Sequence, residues 1–247
     1  MWGISIGEGG FVAFWIHNQH CGVATGATVV PVTTGFFVKP AEFELTVVYH
    51  ELGIFCMNAP EKYNGMVFGN LTLCMVCEEL SRACLGIGIT PMVNMLASEP
   101  ILYGGNEEQW EWWYTRICDE GKLAAYAVTE PGAGSDVAGV STSAKKDGDY
   151  YILNGSKCFI TNGRHASQLC VLATHDKSKG NRAQSFFIVD TSTEGVSFGK
   201  SEHKMGMRCS ETSEVILDNV KVHKKWRVGE EGDGFKLAMK SFNSSRP

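Results

Sequence analysis

Residues 129–136 read Thr-Glu-Pro-Gly-Ala-Gly-Ser-Asp, so two glycines and a serine stand directly behind a proline turn. Gly132 and Gly134 leave backbone N–H groups bare, and Ser135 adds a hydroxyl. Clustered amide donors of this kind suit an anionic group such as a phosphate. The same composition also makes an ordinary turn. The spacing is not G-x-G-x-x-G, and no second βαβ unit follows it. Two further polar clusters accompany the first. They are Phe159-Ile160-Thr161-Asn162-Gly163 and Arg208-Cys209-Ser210-Glu211-Thr212.

Helices are expected before the first cluster, over residues 42–123. Leu71, Met75, Val76 and Leu80 recur at helical spacing, with Glu79 beside them, and predict a buried stripe. Asn106 and Gln109 have the spacing of a capping box. Trp110, Trp113, Tyr114 and Ile117 then follow at i, i+3, i+4 and i+7, which predicts core packing. Gly104-Gly105 and residues 119–121 break the pattern on either side.

The period changes over residues 124–226. Residues 140–144 and 150–153 flank Asp147-Gly148 and read as a hairpin, with Asn154-Gly155 as a second turn before residues 157–161. Residues 169–174, 184–189 and 214–222 are further strands, rich in β-branched and aromatic side chains. Residues 177–182 read as a polar loop. Strands close in sequence and joined by tight turns predict an antiparallel barrel or sandwich. From Gly229 the pattern is helical again, with Phe235, Leu237, Ala238, Met239 and Phe242. The fold class is therefore α+β.

The chain has 247 residues, 44% of them hydrophobic, and a net charge of −5, which argues against a nucleic acid as main partner. Its nine cysteines show no framework spacing and fit reduced thiols. Cys74-x-x-Cys77 lies in an apolar helical stretch with no second pair, so core packing is expected rather than a metal site. Residues 9–38 contain no Lys, Arg, Asp or Glu and include His17-Asn18-Gln19-His20. No window there is continuously apolar over the ~20 residues of a membrane span. The segment also lacks the composition of a transit peptide. Residues 1–41 are expected to form a divergent, poorly ordered segment.

The sequence resembles the acyl-CoA dehydrogenases, and their medium-chain branch most closely. Four phrases carry the resemblance, in the family's order and spacing. Ala125-Tyr126-Ala127-Val128 runs into the 129–136 loop. Asn154-Gly155-Ser156-Lys157 runs into residues 159–163. Met205-Gly206-Met207-Arg208-Cys209-Ser210 and Gly234-Phe235-Lys236-Leu237-Ala238-Met239 follow. The match begins near Glu42. It implies a helical domain over 42–123, a flavin- and acyl-CoA-binding β domain over 124–226, and the start of a C-terminal helical domain over 227–247. The family's remaining C-terminal helices are not in this chain.

The resemblance further implies FAD as cofactor, an acyl-CoA as substrate and an electron-transfer flavoprotein as partner. The family is homo-oligomeric, from which no assembly of this chain follows, and the resemblance implies a mitochondrial matrix location. The reaction would be α,β-dehydrogenation of a fatty acyl-CoA thioester, as in β-oxidation. Tyr126, Ala127, Val128, Thr129, Glu130, Pro131, Gly132, Ala133, Gly134 and Ser135 would line the flavin and its pyrophosphate. Phe159, Ile160 and Thr161 would flank the ring system. Ser135, Asn181, Asn243, Ser244, Ser245 and Arg246 would meet the substrate.

Two departures from the family stand out. Phe159 replaces the usual tryptophan, and Asn243 the usual aspartate. No in-chain carboxylate matches the family's glutamate base, so no catalytic residue is assigned and impaired turnover is expected. The alternative is a non-catalytic module that keeps part of the flavin or acyl-CoA surface.

Overall fold

The structure, a computed structural model, describes residues 2–7, 11–16, 29–31 and 47–245. It divides into two compact units, Met1–Leu52 and Gly53–Pro247. In the first, β1 (Trp2–Gly7), β2 (Phe11–Ile16) and β3 (Val29–Pro31) form an antiparallel sheet in that order. Strands β1 and β2 pair along their full length, and, β3 apart, the rest of the segment expected to be poorly ordered lies outside the described residues. A helical turn follows over residues 47–51. The cluster at 17–20 lies outside the described residues.

The second unit begins with helices. The long element α1 (Asn70–Gly104) is two helices joined at Cys84, whose backbone is extended at φ −161° and ψ 111°. By length and composition it could cross a membrane. Its second half instead packs inside this unit, where Val93, Met95, Ala97 and Ile101 are buried. The first half buries only part of the expected stripe: Leu80 is 4% exposed, but Leu71 is 77% exposed and Met75 59%. Amphipathic spacing marks a face that can be covered, and among the described residues nothing covers these two side chains. The cysteine pair departs from the core packing expected of it, since Cys74 is exposed and Cys77 half-buried. No metal-binding group of His, Cys, Asp and Glu occurs among the described residues.

Helix α2 (Glu107–Cys118) starts as its sequence predicts. Gln109 N donates to Asn106 Oδ1 at 3.0 Å, and Asn106 N donates to Gln109 Oε1 at 3.2 Å. Gln109 also donates from Nε2 to the carbonyls of Lys225 and Arg227, at 2.6 and 2.8 Å, tying the helix to the sheet. Trp113, Tyr114 and Ile117 are buried. Trp110 is half-buried and donates from Nε1 to Ile101 O at 2.6 Å.

Eight strands form the sheet of this unit: β4 (Leu123–Ala127), β5 (Ser143–Asp147), β6 (Tyr150–Thr161), β7 (Ala166–Thr174), β8 (Gln184–Asp190), β9 (Val196–Phe198), β10 (Thr212–His223) and β11 (Arg227–Val228). Their order is β11-β8-β7-β5-β6-β10-β9, and β4 pairs with β7 off this path. The sheet is mostly antiparallel, as expected, but β4 runs parallel to β7 and so does the single β5–β7 bridge. The whole β5–β6 hairpin intervenes between β4 and β7, and a connection of that length permits parallel pairing. One edge of β7 thus serves two strands: β4 along residues 166–171, and β5 at Thr174. The chain leaves the sheet between them, over residues 128–142.

Two expected turns are displaced. The β5–β6 turn falls at Gly148-Asp149, with Asp147 paired to Tyr150 and φ +59° at Gly148. This is the glycine-first pattern of a tight hairpin. Asn154-Gly155 is not a turn but the interior of β6. There the β10 register shifts between Leu217 and Val220, and a side chain at Gly155 would meet Thr142 at 2.5 Å. Asn-Gly here serves a bulge, where a missing Cβ lets two backbones approach. Residues 177–182, expected as a loop, lie in a 3-10 turn over Lys177–Ala183.

Leu153, Ile160, Leu169, Val171, Phe187, Val189, Val215 and Leu217 are among the side chains of the sheet core. Helix α3 (Gly234–Ser245) closes the unit, burying Leu237, Ala238 and Ser241.

Glu99 lies in the α1–α3 contact. It is 8% exposed, its Oε2 has no partner, and it bonds to Ser244. Burial pushes its pKa up to about 7 against the opposing Ser244 bond. The folded state therefore holds the proton more tightly than the unfolded chain. The stability this lends is full below about pH 4.5 and lost as pH rises through about 7. Glu99→Gln should remove that slope and raise stability at pH 8 by up to about 3 kcal/mol. Urea denaturation at pH 4.5, 6 and 8 checks this.

Candidate functional site

Strand β4 delivers the chain to the glycine loop. Two asparagines fix its place. Asn94 of α1 is fully buried, and its Oδ1 accepts from Ala124 N at 2.8 Å. Asn162, at the end of β6, donates from Nδ2 to Thr90 O at 3.2 Å and Ala124 O at 3.3 Å. Asn162 adopts φ +64°, a conformation asparagine tolerates better than most residues. The helices, β4 and β6 are thus pinned where the loop begins.

The loop is anchored from within by Glu130. Its backbone exchanges both hydrogen bonds with Ala133, each at 3.0 Å, making a tight turn around Pro131 and Gly132. Its side chain turns into the protein and is 3% exposed, next to a Lys157 side chain that is fully buried. Lys157 Nζ donates to Glu130 Oε1 at 2.7 Å and to Val128 O at 3.1 Å. Ser141 donates to Oε2 from its N and its Oγ, both at 2.7 Å. Thr142 does the same for Oε1 from its N at 2.9 Å and its Oγ1 at 2.5 Å. Burial alone would raise the Glu130 pKa. The Lys157 charge and these donors outweigh it and hold it down at about 2. Burial lowers Lys157 to about 8, with Glu130 opposing the shift.

With Glu130 turned inward, the loop shows its other groups outward. Gly132, Gly134 and Ser135 are exposed, and a Cβ on either glycine would meet nothing within 4 Å. Among the described residues, the amides of Gly132, Gly134 and Ser135 donate to no protein acceptor. They form a donor set with room in front of it, as an anionic diphosphate requires.

Strand β6 supplies the second part. Cys158 N donates to Thr129 O at 2.9 Å, joining strand and loop. Between the pairs Ser213–Ile160 and Val215–Lys157, Cys158 and Phe159 together oppose Glu214 alone. This is a bulge, and Phe159 sits in it at φ +57°. A left-handed phenylalanine is strained by about 1–2 kcal/mol. The consequence is visible in exposure: Phe159 is 66% exposed between half-buried Cys158 and buried Ile160. Bulges of this kind re-aim side chains beside functional sites. An aromatic face is therefore presented next to the bare amides, with the half-buried Thr161 two residues on.

The expected site residues divide accordingly. Thr129, Pro131, Gly132, Gly134, Ser135, Phe159 and Thr161 lie on the accessible side or at its edge. Ala127, Val128, Ala133 and Ile160 are buried core side chains, and Glu130 is the anchor. The side chains of these five point away from the accessible side, so only their backbone could face a ligand there. Tyr126 is half-buried, its ring 5.7 Å from Phe186 and 6.2 Å from Phe242 of α3. Asn181 is half-buried in the 3-10 turn that packs against the turn Val137–Gly139, just after Ser135. Gln184 reinforces that contact through Val137 O at 2.9 Å. Asn243, Ser244 and Ser245 lie at the end of α3, where Ser244 O accepts from Asn70 at 3.1 Å. Arg246 lies outside the described residues.

Lys157 is the residue that motif reading undervalued. Its spacing from Glu130 carries no periodic signal, since the partners lie on different elements. A lysine running straight into Cys158-Phe159-Ile160 was the available sign.

Two outcomes follow. Phe159→Gly, which relieves the left-handed strain, should raise unfolding free energy by about 1 kcal/mol. Denaturant titration checks it. The Glu130 carboxylate lends stability that is present above about pH 4.5 and lost as pH falls through about 2. Glu130→Gln should flatten the acid limb of a stability–pH curve.

Comparison with known proteins places the helical and β regions in one family. The acyl-CoA dehydrogenase N-terminal domain matches residues 39–121, and the middle domain matches residues 125–220. Cyclohexane-1-carbonyl-CoA dehydrogenase of Syntrophus aciditrophicus is 43% identical over 211 residues, covering 85% of this chain and 54% of that protein. A probable medium-chain specific acyl-CoA dehydrogenase of Caenorhabditis briggsae is 41% identical over 216 residues, covering 85% and 53%. The chain spans about half the length of these curated relatives. Among solved structures, an acyl-CoA dehydrogenase complexed with FAD from Bacillus anthracis aligns with TM-score 0.77 and 37% identity, over 83% of this chain and 36% of that one. An electron transferring flavoprotein structure of Acidaminococcus fermentans aligns with TM-score 0.79 and 40% identity, over 83% and 54%. On its sequence, its helical and β regions and these matches, the chain belongs to the acyl-CoA dehydrogenase family.

Proposed function

We propose that this chain binds FAD on the loop of residues 129–135 and the 158–161 end of β6, and presents it to an acyl-CoA. The observation that carries the reading is the set of unclaimed amides at Gly132, Gly134 and Ser135 beside the exposed Phe159. When bound, FAD supplies the two-electron acceptor for dehydrogenation of an acyl-CoA thioester.

The chain's own residues hold and orient. Amides of the glycine loop meet a diphosphate without the desolvation cost of burying a charge, since they already face solvent. Phe159 offers an aromatic face, smaller than an indole and lacking its N–H. The hydroxyls of Thr129 and Thr161 are donors able to tune a flavin ring. Asn181 and the end of α3 would approach the acyl-CoA. A fatty acyl substrate, a β-oxidation role and electron transfer to an electron-transfer flavoprotein belong to the same proposal. A mitochondrial matrix location, carried over from the family resemblance, is part of the same proposal.

A specific observation favours binding without turnover as the second reading. Three carboxylates near the loop and strand are engaged. Glu130 is saturated by Lys157, Ser141 and Thr142. Glu214 accepts from Ser156, and Glu211 accepts from Arg164 N at 3.1 Å. General-base help is worth about 10²–10⁴-fold, and these residues do not supply it.

Gel filtration after mixing with FAD should return a protein with a retained, perturbed flavin band, and a colourless protein would refute the binding reading. Octanoyl-CoA oxidation with an artificial electron acceptor should be undetectable for the chain alone, and measurable turnover would refute the second reading.

A further inference from the structure

Far from the flavin end of β6 lies a cavity of about 320 Å³, between α2 and the sheet. That volume falls within the small-molecule range of about 300–1,000 Å³. The β6–β10 ladder pairs Thr161 with Thr212 at one end and Tyr150 with His223 at the other. Twelve residues of β6 at roughly 3.3 Å each put about 35 Å between the two ends. The cavity shares no lining residue with the glycine loop or Phe159.

Its walls are aromatic. Trp112 and Trp226 meet at 5.0 Å between ring centroids, tilted by 53°, and Tyr150 stands edge-on to His223 at 5.1 Å. Buried Ile188 and Val189 give it apolar surface. Cations surround these rings, and most are already neutralised. Arg116, 4.4 Å from the Trp112 ring, is paired with Asp190 at 2.7 Å. Lys225, 4.9 Å from Trp226, is paired with Glu108 at 2.6 Å. Lys221 differs. Its Nζ lies 4.4 Å from the Tyr150 ring centroid, and no carboxylate pairs with it among the described residues. Asp190, the acid lining the cavity, is taken by Arg116 and by the N and Oγ of Ser192. His223 adds a donor: its Nδ1 accepts from Lys225 N at 3.2 Å, which leaves the ring proton on Nε2.

We propose that this cavity is a binding site for a small planar aromatic carboxylate, with the ring against Trp112, Trp226 and Tyr150 and the carboxylate at Lys221 and His223. Charge decides the class. A neutral aromatic would leave Lys221 unanswered, and an aromatic cation would meet a like charge over the tyrosine face. An anion completes the one unpaired charge among the described residues that line the cavity, and at low ionic strength that pairing is little screened.

Isothermal titration of the purified chain at low ionic strength tests this, with sodium 2-naphthoate as probe and 2-naphthamide as its neutral isostere. The naphthoate should bind saturably at one site per chain, and the amide about tenfold more weakly or worse. Lys221→Gln, on an exposed side chain, should weaken naphthoate about tenfold and leave the amide unchanged. Absence of saturable naphthoate binding, equal binding of acid and amide, or an unchanged naphthoate affinity in Lys221→Gln would each overturn the proposal. The inference does not rest on flavin binding, and FAD retention, read separately by absorbance, should be the same in Lys221→Gln as in the parent chain.

Discussion

Lys157 and Glu130 form an ion pair inside the β region, with the lysine side chain fully buried and the glutamate 3% exposed. Taking two charges from water costs several kcal/mol per ion even after relaxation, and only good geometry with further hydrogen bonds offsets it. Here the carboxylate accepts from four groups of Ser141 and Thr142 besides the ammonium, and the ammonium donates to Val128 O as well. Three separate pieces of chain meet at this pair: the end of β4 with the loop behind it, the entry to β5, and β6. Neither charge can leave without stranding the other. The loop's outward face is therefore a consequence of what its inward face holds.

The remaining constraints act on the same junction. Asn94 and Asn162 hook β4 to the helices and to β6 through backbone groups that would otherwise be buried without partners. Cys158 N closes the gap between strand and loop. The bulge at Cys158 and Phe159 then turns one aromatic ring out of the sheet at the cost of a left-handed backbone. Strain of this kind persists only where its surroundings over-determine it. Rigid packing around Ile160 and Lys157 does so here, and the result is an aromatic surface beside bare amides.

Much of this was legible in the residues. The Asn106–Gln109 box and the Trp113-Tyr114-Ile117 face follow local rules, and the structure obeys them. The glycine loop was legible too, because bare amides after a strand are a local feature. What was not legible depends on partners distant in sequence. Asn154-Gly155 has turn chemistry, yet its neighbour across the sheet makes it a bulge. Leu71 and Met75 have the spacing of a buried stripe, but spacing does not supply the surface that would bury them. Glu130 sits inside a loop motif, and no local rule tells whether its carboxylate faces a ligand or Lys157. Strand alternation resolves part of this, assigning Ala127 and Ile160 to the core once the strands are known.

The central claim is that the Glu130–Lys157 pair acts as one unit on which the loop depends. A double-mutant cycle with Glu130→Gln, Lys157→Met and the combined variant, followed by urea denaturation, measures it most directly. Each single change should cost about 3–5 kcal/mol by stranding a buried partner, and the double variant should cost far less than their sum. A coupling energy of about 2 kcal/mol or more is the predicted result. Additive losses, within about 0.5 kcal/mol, would mean that the two residues act independently and would contradict the account.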